Sequence, residues 1–157
     1  MCLTSFTDYG LRMLMRMASA PDRAFSTAEL AGEFGLSRNH LTKIMPRLAQ
    51  GAIVATRRGG GGGAMLAHDP SDVTIGAVIR LLEDGQPLVG CFTATGSDCT
   101  ITGCCRLKAR LHSAQAAFLA NPDQSSLAES VPRHRMQDPG NRPRTSRRSC
   151  IRPRTAR

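Results

Sequence analysis

The chain has 157 residues, a formal charge of +9 and a pI near 10.3, which fits one domain with a flexible end and points to a polyanionic partner such as nucleic acid. The charge is unevenly placed: residues 131–157 carry nine arginines against one acid (Asp138), for +8, while residues 1–130 carry twelve Lys/Arg against eleven acids, for +1. Six cysteines are too sparse for a secreted disulfide scaffold, and the lack of an apolar run of ~18 residues excludes a membrane span.

Leu11, Leu14, Met15 and Ala18 recur at helical spacing and predict a first helix from about Thr7 to Ala20, ended by Pro21. Tyr9, Met13 and Met17 form a second apolar stripe, read either as ordinary core or as contact with a partner subunit. Ala18-Ser19-Ala20 resembles a signal-peptide cleavage site. However, Arg12 and Arg16 interrupt the apolar region and no basic segment precedes it, so the segment reads as a soluble amphipathic helix. The chain is therefore assigned to the reducing cytoplasm, where clustered cysteines more often bind metal than form disulfides.

Ser26-Thr27-Ala28-Glu29 fits a capping box. Leu30, Ala31 and Phe34 give the short helix after it one apolar face, and Gly35 breaks that helix. Leu36 packs the turn and Ser37 is placed to cap the next helix. There Leu41, Ile44 and Leu48 face inward, leaving Arg38, Asn39, His40, Thr42 and Lys43 outside. Two short helices joined by a glycine turn, the second exposing amide and basic side chains, read as a helix-turn-helix, although a plain helical hairpin shares much of the pattern. Pro46 removes a backbone donor and clashes with the Thr42 carbonyl, a cost of ~3 kcal/mol in a helix interior. The second helix is thus expected to kink or stop near Met45.

Residues 53–56 (Ile-Val-Ala-Thr) and 64–67 (Ala-Met-Leu-Ala) read as two strands around Arg57, Arg58 and the five glycines Gly59 to Gly63. Alone, that glycine run would equally be a linker. Between two strand-like runs it reads as a wing: glycine lets the backbone approach the sugar-phosphate, and arginine suits the negative minor groove. Ile75, Val78, Ile79 and Leu82 mark a further helix closed by Gly85.

Next comes Cys91 to Cys105, CFTATGSDCTITGCC, with four of the six cysteines in fifteen residues. Its polar residues form no apolar stripe, and with Gly96 and Gly103 they read as loop. Clustered thiolates on a loop suit a soft metal or an iron–sulfur cluster. Three close cysteines with a loose fourth could equally hold zinc tetrahedrally, or serve as a thiol switch. Cys104-Cys105 lacks the C-x-x-C spacing and βαβ setting of a thiol oxidoreductase. No Ser–His–Asp, paired-carboxylate or phosphate-loop pattern is present, so the chain is read as a non-enzyme. Leu107, Leu111, Ala114 and Phe118 then follow at i, i+4, i+7 and i+11, a narrow seam suited to pairing with a twin helix. Packing onto the chain's own core is the plainer reading of that seam.

From Val131 onward Arg, Pro and Ser dominate and cannot bury a core. The stretch reads as a disordered tail, either a basic arm adding salt-sensitive DNA affinity or the product of a shifted reading frame. Arginine without a single lysine favours the latter.

Taken together, several motifs resemble the IscR/NsrR (Rrf-type) family of iron–sulfur winged-helix transcriptional regulators, and within it the nitric-oxide-sensing, NsrR-like repressors. The motifs are Leu3-Thr4-Ser5-Phe6-Thr7-Asp8-Tyr9-Gly10-Leu11-Arg12, Ser37-Arg38-Asn39-His40-Leu41-Thr42-Lys43, Cys105-Arg106-Leu107-Lys108, and Arg58-Gly59 followed by Gly61-Gly62-Gly63. The likeness spans roughly residues 1–130. It implies a mainly α fold with a small β-wing. Residues 1–84 would form a winged helix-turn-helix DNA-binding domain, residues 85–130 a cluster-binding loop and dimerisation helix, and residues 131–157 the Arg/Pro-rich tail.

The resemblance further implies a [2Fe-2S] or [4Fe-4S] cluster held by Cys91, Cys99 and Cys105, with Cys104 as an alternative to Cys105 and a fourth ligand at Asp8 of the other subunit. Read from the residues alone, Asp8 is simply an acid in the first turn of a helix. IscR-like members carry a histidine three residues beyond the third cysteine. Here that position is Lys108, with His112 four further on, which favours the NsrR-like site. The implied partners are a second copy of the chain and a palindromic DNA operator, with nitric oxide as the signal. Ser37, Arg38, Asn39, His40, Thr42 and Lys43 would serve the major groove, and Arg57, Arg58 and Gly59 the wing. Ala64-Met65 depart from the bulky-then-basic pair common in that family's wing, and Pro46 is unexpected.

Overall fold

The computed structural model describes residues 3–57, 63–93, 99–101 and 104–131. Its first helix, α1 (Ser5–Ala18), starts two residues before the spacing predicts. The Thr4 side chain accepts from the Thr7 amide, and the Glu83 carboxylate accepts from both the amide and the hydroxyl of Thr4 at 2.8 and 2.9 Å. Met13, Leu14 and Met17 are fully buried, so the stripe that includes Tyr9 is largely core. Helix α1 packs against three of the later helices and one strand of the hairpin, and is the central element of the domain.

Helix α2 (Thr27–Phe34) begins at Ser26, which accepts from the Glu29 amide at 3.1 Å. Only that half of the expected capping box is seen, because the Glu29 carboxylate pairs with Arg23 instead. The helix ends at Gly35, whose φ of +66° requires a residue tolerant of the left-handed region. Helix α3 (Arg38–Gln50) follows. It runs through Pro46 without stopping, so of the kink or stop expected near Met45 the stop does not occur. Leu41, Ile44, Met45 and Leu48 are buried on both sides of the proline, so the core clamps both halves. Thr42 and Pro46 both face solvent, where water can satisfy the orphaned carbonyl.

Helix α3 closes in a Schellman motif. The Ile53 amide donates to the Leu48 carbonyl and the Ala52 amide to the Ala49 carbonyl, both at 3.0 Å. Ala52 therefore takes the left-handed position, at φ +54°, that glycine usually fills.

Strands β1 (Val54–Arg57) and β2 (Gly63–Leu66) pair antiparallel, with Val54 opposite Leu66 and Arg57 opposite Gly63. Phe25 adds a bridge to Ala64, exchanging two hydrogen bonds of 2.8 Å. A Cβ at Gly63 would lie 2.7 Å from the Phe25 carbonyl oxygen, so this close approach needs glycine. Helix α4 (Ile75–Glu83) is capped by Thr74, and left-handed Gly85 lies just beyond its end. Helix α5 (Arg106–Ala120) has no buried residue. After it, a 3-10 turn (Pro122–Gln124) and α6 (Leu127–Ser130) return the chain to the domain. Leu127 is fully buried in the same core as Leu14 and Ile44, and Ser126 bridges Thr74.

One charged pair lies inside this core. Arg16, 3% exposed, donates to the Glu33 carboxylate at 2.7 Å and stacks 4.9 Å from the Phe25 ring centroid. It ties α1 to α2. No helix among the described residues is long and apolar enough to cross a membrane.

Candidate functional site

The helix-turn-helix places its polar residues as the spacing predicts. Ser37, Arg38, Asn39, His40, Thr42 and Lys43 are all exposed along the N-terminal half of α3, while Leu41 and Ile44 are fully buried. Ser37 occupies the N-cap position, but its side chain makes no capping bond; the His40 and Leu41 amides are taken by its backbone carbonyl instead. The hydroxyl is thereby left to solvent. Thr42 differs from its neighbours, since its hydroxyl donates back to the Arg38 carbonyl at 2.8 Å. Arg57 is exposed at the end of β1, where the hairpin leaves the core. Arg58 and Gly59, also expected at the wing, lie outside the described residues.

Helix α1 reaches this surface through an unforeseen contact. The Tyr9 ring lies 5.7 Å, centroid to centroid, from the His40 ring. Asp8, one residue earlier, is ion-paired with Arg12 at 2.8 Å, with both side chains about half exposed. A pair so open to solvent contributes little to stability. Asp8 can therefore exchange Arg12 for another partner at small cost.

Four cysteines lie on the connection from α4 to α5, and none is joined in a disulfide: Cys91 and Cys105 are half-buried, Cys99 and Cys104 exposed. Cys91 sits in a short 3-10 turn (Gly90–Phe92), and Cys105 is the N-cap of α5. The partial positive charge of that helix end suits an anionic sulfur ligand. The Cys104 sulfur contacts the Ile101 carbonyl at 3.7 Å.

Among the described residues, no three His, Cys, Asp or Glu side chains stand close enough to hold one metal ion. The chain thus does not bring Cys91, Cys99, Cys105 and Asp8 together by itself. The donor chemistry nevertheless fits a thiophilic group: four soft sulfur ligands outside the core, on one connection of the chain. Metal sites are commonly completed by binding rather than preformed.

Cys91 also lines a cleft of about 660 Å³ between the end of α4 and α5. The α5 residues on it are Lys108, His112, Gln115 and Leu119, spaced as one helical face. The His112 ring meets the Phe92 ring nearly edge-on, at 5.8 Å between centroids. The spacing singles out His112 only as displaced from a family position. Its four-residue offset from Lys108, about one helical turn, is the signal that places both on one side of α5. The predicted seam lies on an adjacent face, with Leu107 64% and Phe118 38% exposed.

At the opposite wall, burial pushes the Glu83 carboxyl upward. Hydrogen bonds from the Thr7 hydroxyl and from the amide and hydroxyl of Thr4 together outweigh burial and hold it below its ordinary value. Arg80, also on the cleft, forms a two-pronged ion pair with Asp123.

Comparison with known proteins agrees with this arrangement. The family model Rrf2, described as iron-dependent transcriptional regulator, matches residues 3–133. The chain is 41% identical over 132 residues to the HTH-type transcriptional regulator NsrR of Bacillus subtilis, covering 83% of this chain and 90% of that one. It is 39% identical to NsrR of Halalkalibacterium halodurans, covering 82% and 89% of the respective chains. Among solved structures, T. potens IscR has a TM-score of 0.63 at 23% identity, covering 83% of this chain and 85% of that chain. The cysteine regulator CymR of B. subtilis has a TM-score of 0.61 at 23% identity, covering 83% and 96%. These structural likenesses carry the fold; the family model and the sequence relatives carry the class. With a family model matching nearly the whole described chain and relatives at about 40% identity over most of it, the chain belongs to the Rrf2 family of winged helix-turn-helix transcriptional regulators.

Proposed function

We propose that the chain is a homodimeric repressor of palindromic operators, releasing DNA when nitric oxide reaches an iron–sulfur cluster on the loop between α4 and α5. The observation that carries this reading is the placement of the cysteines: four of them, none in a disulfide and all outside the core, lie on the connection that leads into a helix with no buried residue. A sulfur-rich loop is thereby joined to an uncovered apolar seam. Covering Leu107, Leu111 and Phe118 with a second copy places two such loops in one dimer.

In the DNA complex, Arg38, Asn39, His40 and Lys43 face base edges and phosphates of the major groove, with Ser37 and Thr42 at its phosphate rim. Arg57 leads the wing, with Arg58 and Gly59, towards the minor groove. Cys91, Cys99 and Cys105 would hold the cluster, with Cys104 the alternative to Cys105 and Asp8 of the partner subunit the fourth donor. Bound there, the cluster supplies iron atoms that nitric oxide attacks. A carboxylate is a harder and weaker donor to such iron than a thiolate, so Asp8 is the ligand most readily lost. Released from such a site, Asp8 would pair with Arg12 as it does in the single chain, and α1 would no longer be tied to the other subunit. Because α1 packs on α3 and touches His40 through Tyr9, its position biases the recognition surface. This is allostery in the thermodynamic sense if cluster and DNA favour the same dimer geometry.

Cys99→Ala tests the ligand assignment. Anaerobically reconstituted parent protein should show broad visible absorption bands, and the variant should lose them while keeping its far-UV circular dichroism. Unchanged bands in the variant would remove Cys99 from the ligand set, and a colourless, zinc-containing parent would replace the cluster with a zinc site.

A further inference from the structure

We infer that Tyr9 is a positioning residue for DNA recognition: its ring holds the His40 imidazole in place, so the base preference read by His40 depends on a side chain of α1. This rests on the DNA-binding reading above and does not depend on the cofactor. His40 is exposed in the first turn of α3, the part of a recognition helix whose side chains meet base edges. Its imidazole makes no hydrogen bond among the described residues. The ring it meets is that of Tyr9, at 5.7 Å between centroids and 31° between planes, within the range of an attractive aromatic pair.

Tyr9 is itself anchored. It is half-buried and packs against the core, and α1 is held close to its neighbours at the very next residue. A Cβ on Gly10 would come within 2.4 Å of Leu82 Cδ1 and 3.4 Å of Ile44 Cγ2. Helix α1 therefore lies tight against α4, and against α3 one turn along from His40. A neutral imidazole carries one donor and one acceptor in its ring plane, so the ring's rotation decides which base edge it can meet. Alone, an exposed histidine spreads over several rotamers. An aromatic partner weights one of them by roughly twofold to tenfold. The Tyr9 hydroxyl has no hydrogen-bond partner among the described residues, and it is the ring that makes the contact.

The test selects duplexes from a randomised DNA library with the full chain, reconstituted anaerobically, and compares the base preference at each position of the recovered site. His40→Ala should flatten the preference at one position of each half-site. Tyr9→Leu, which fills the space without a ring, should weaken that same preference by roughly twofold to tenfold. It should leave the salt dependence of binding unchanged, since no phosphate contact is lost. Tyr9→Phe should keep the parent's preference, and Tyr9→Leu combined with His40→Ala should match His40→Ala alone. An unaltered preference in His40→Ala or Tyr9→Leu, full additivity of the two, or a loss in Tyr9→Phe equal to that in Tyr9→Leu overturns the proposal. The contact is also read in the parent by proton NMR. The Tyr9 ring current should displace the His40 imidazole resonances, assigned by their loss in His40→Ala, from the position of an exposed histidine. Undisplaced resonances overturn the proposal even where Tyr9→Leu does not fold. A parent that selects no sequence removes the DNA-binding reading and this proposal with it, whereas a preference lost in His40→Ala but kept in Tyr9→Leu removes the proposal alone.

Discussion

Two residues show how local physics sets stability here. Ala52 occupies the left-handed position of the Schellman motif that ends α3, at φ +54°, while the neighbouring glycine, Gly51, sits one place too early. Gly51 is not free to vary either, because a methyl there would collide with the Leu81 side chain. Ala52→Gly relieves a strain of about 1–2 kcal/mol at the expense of chain entropy, so a net gain of roughly 0.5–1 kcal/mol is expected in urea unfolding; a loss would show that the strain is not there. Arg16 acts in the opposite sense. Its removal leaves the Glu33 carboxylate buried and uncompensated, with one oxygen already without a hydrogen-bond partner among the described residues. Arg16→Ala should cost about 3–5 kcal/mol, and Arg16→Met with Glu33→Leu should recover most of it. Equal destabilisation of the single and double variants would mean that packing against Phe25 matters more than the charge. Neither effect was readable beforehand. Arg16 looks like any helix-face cation in the sequence, and only the fold reveals that Glu33 and Phe25 close over it.

At the scale of elements, α1 and α4 are joined end to end by Glu83, which accepts from Thr4 at the N-cap of α1. Because the folded carboxyl is held below its ordinary value of 4.5, its contribution is fully present above that value. It is lost as pH falls through the lower folded value. Asp123 behaves likewise, with the Arg80 hydrogen bond as the main cause of its depression. Urea midpoints measured between about pH 6 and about pH 3 should therefore fall on acidification, and fall less steeply in Glu83→Gln; identical slopes would assign the acid sensitivity elsewhere. Much at this scale was legible in the sequence. The apolar periodicity of α1, α3 and α4 located all three helices, and the strand-like runs around the glycines located the hairpin. The misjudged details are those where tertiary context outweighs a local rule. Pro46 does not break α3, because buried residues on both sides hold it. Ser37 does not cap with its hydroxyl, and Glu29 deserts its capping box for Arg23. The return of α6 to the first core was not foreseen, since Leu127 is one isolated leucine with no periodic partners.

For the whole molecule, the division of labour follows from what is covered and what is not. The core closes around α1 and leaves three things outside it: the polar face of α3, the thiol loop, and the seam of α5. The residue types at the candidate site were legible because cysteine spacing and basic clustering are sequence properties. Their assembly was not, because the proposed ligand set draws on a second subunit that no single-chain pattern encodes. The cleft and the Phe92–His112 contact were likewise invisible, since they depend on how α5 lies against the end of α4. The central claim is that cofactor and DNA stabilise the same dimer. It is tested most directly by a gel shift of anaerobically reconstituted protein on a palindromic operator, before and after nitric oxide, with the visible spectrum recorded on the same samples. The account predicts tight binding in the coloured state and a large loss of binding as the visible bands are bleached. Undiminished binding after complete bleaching would contradict it.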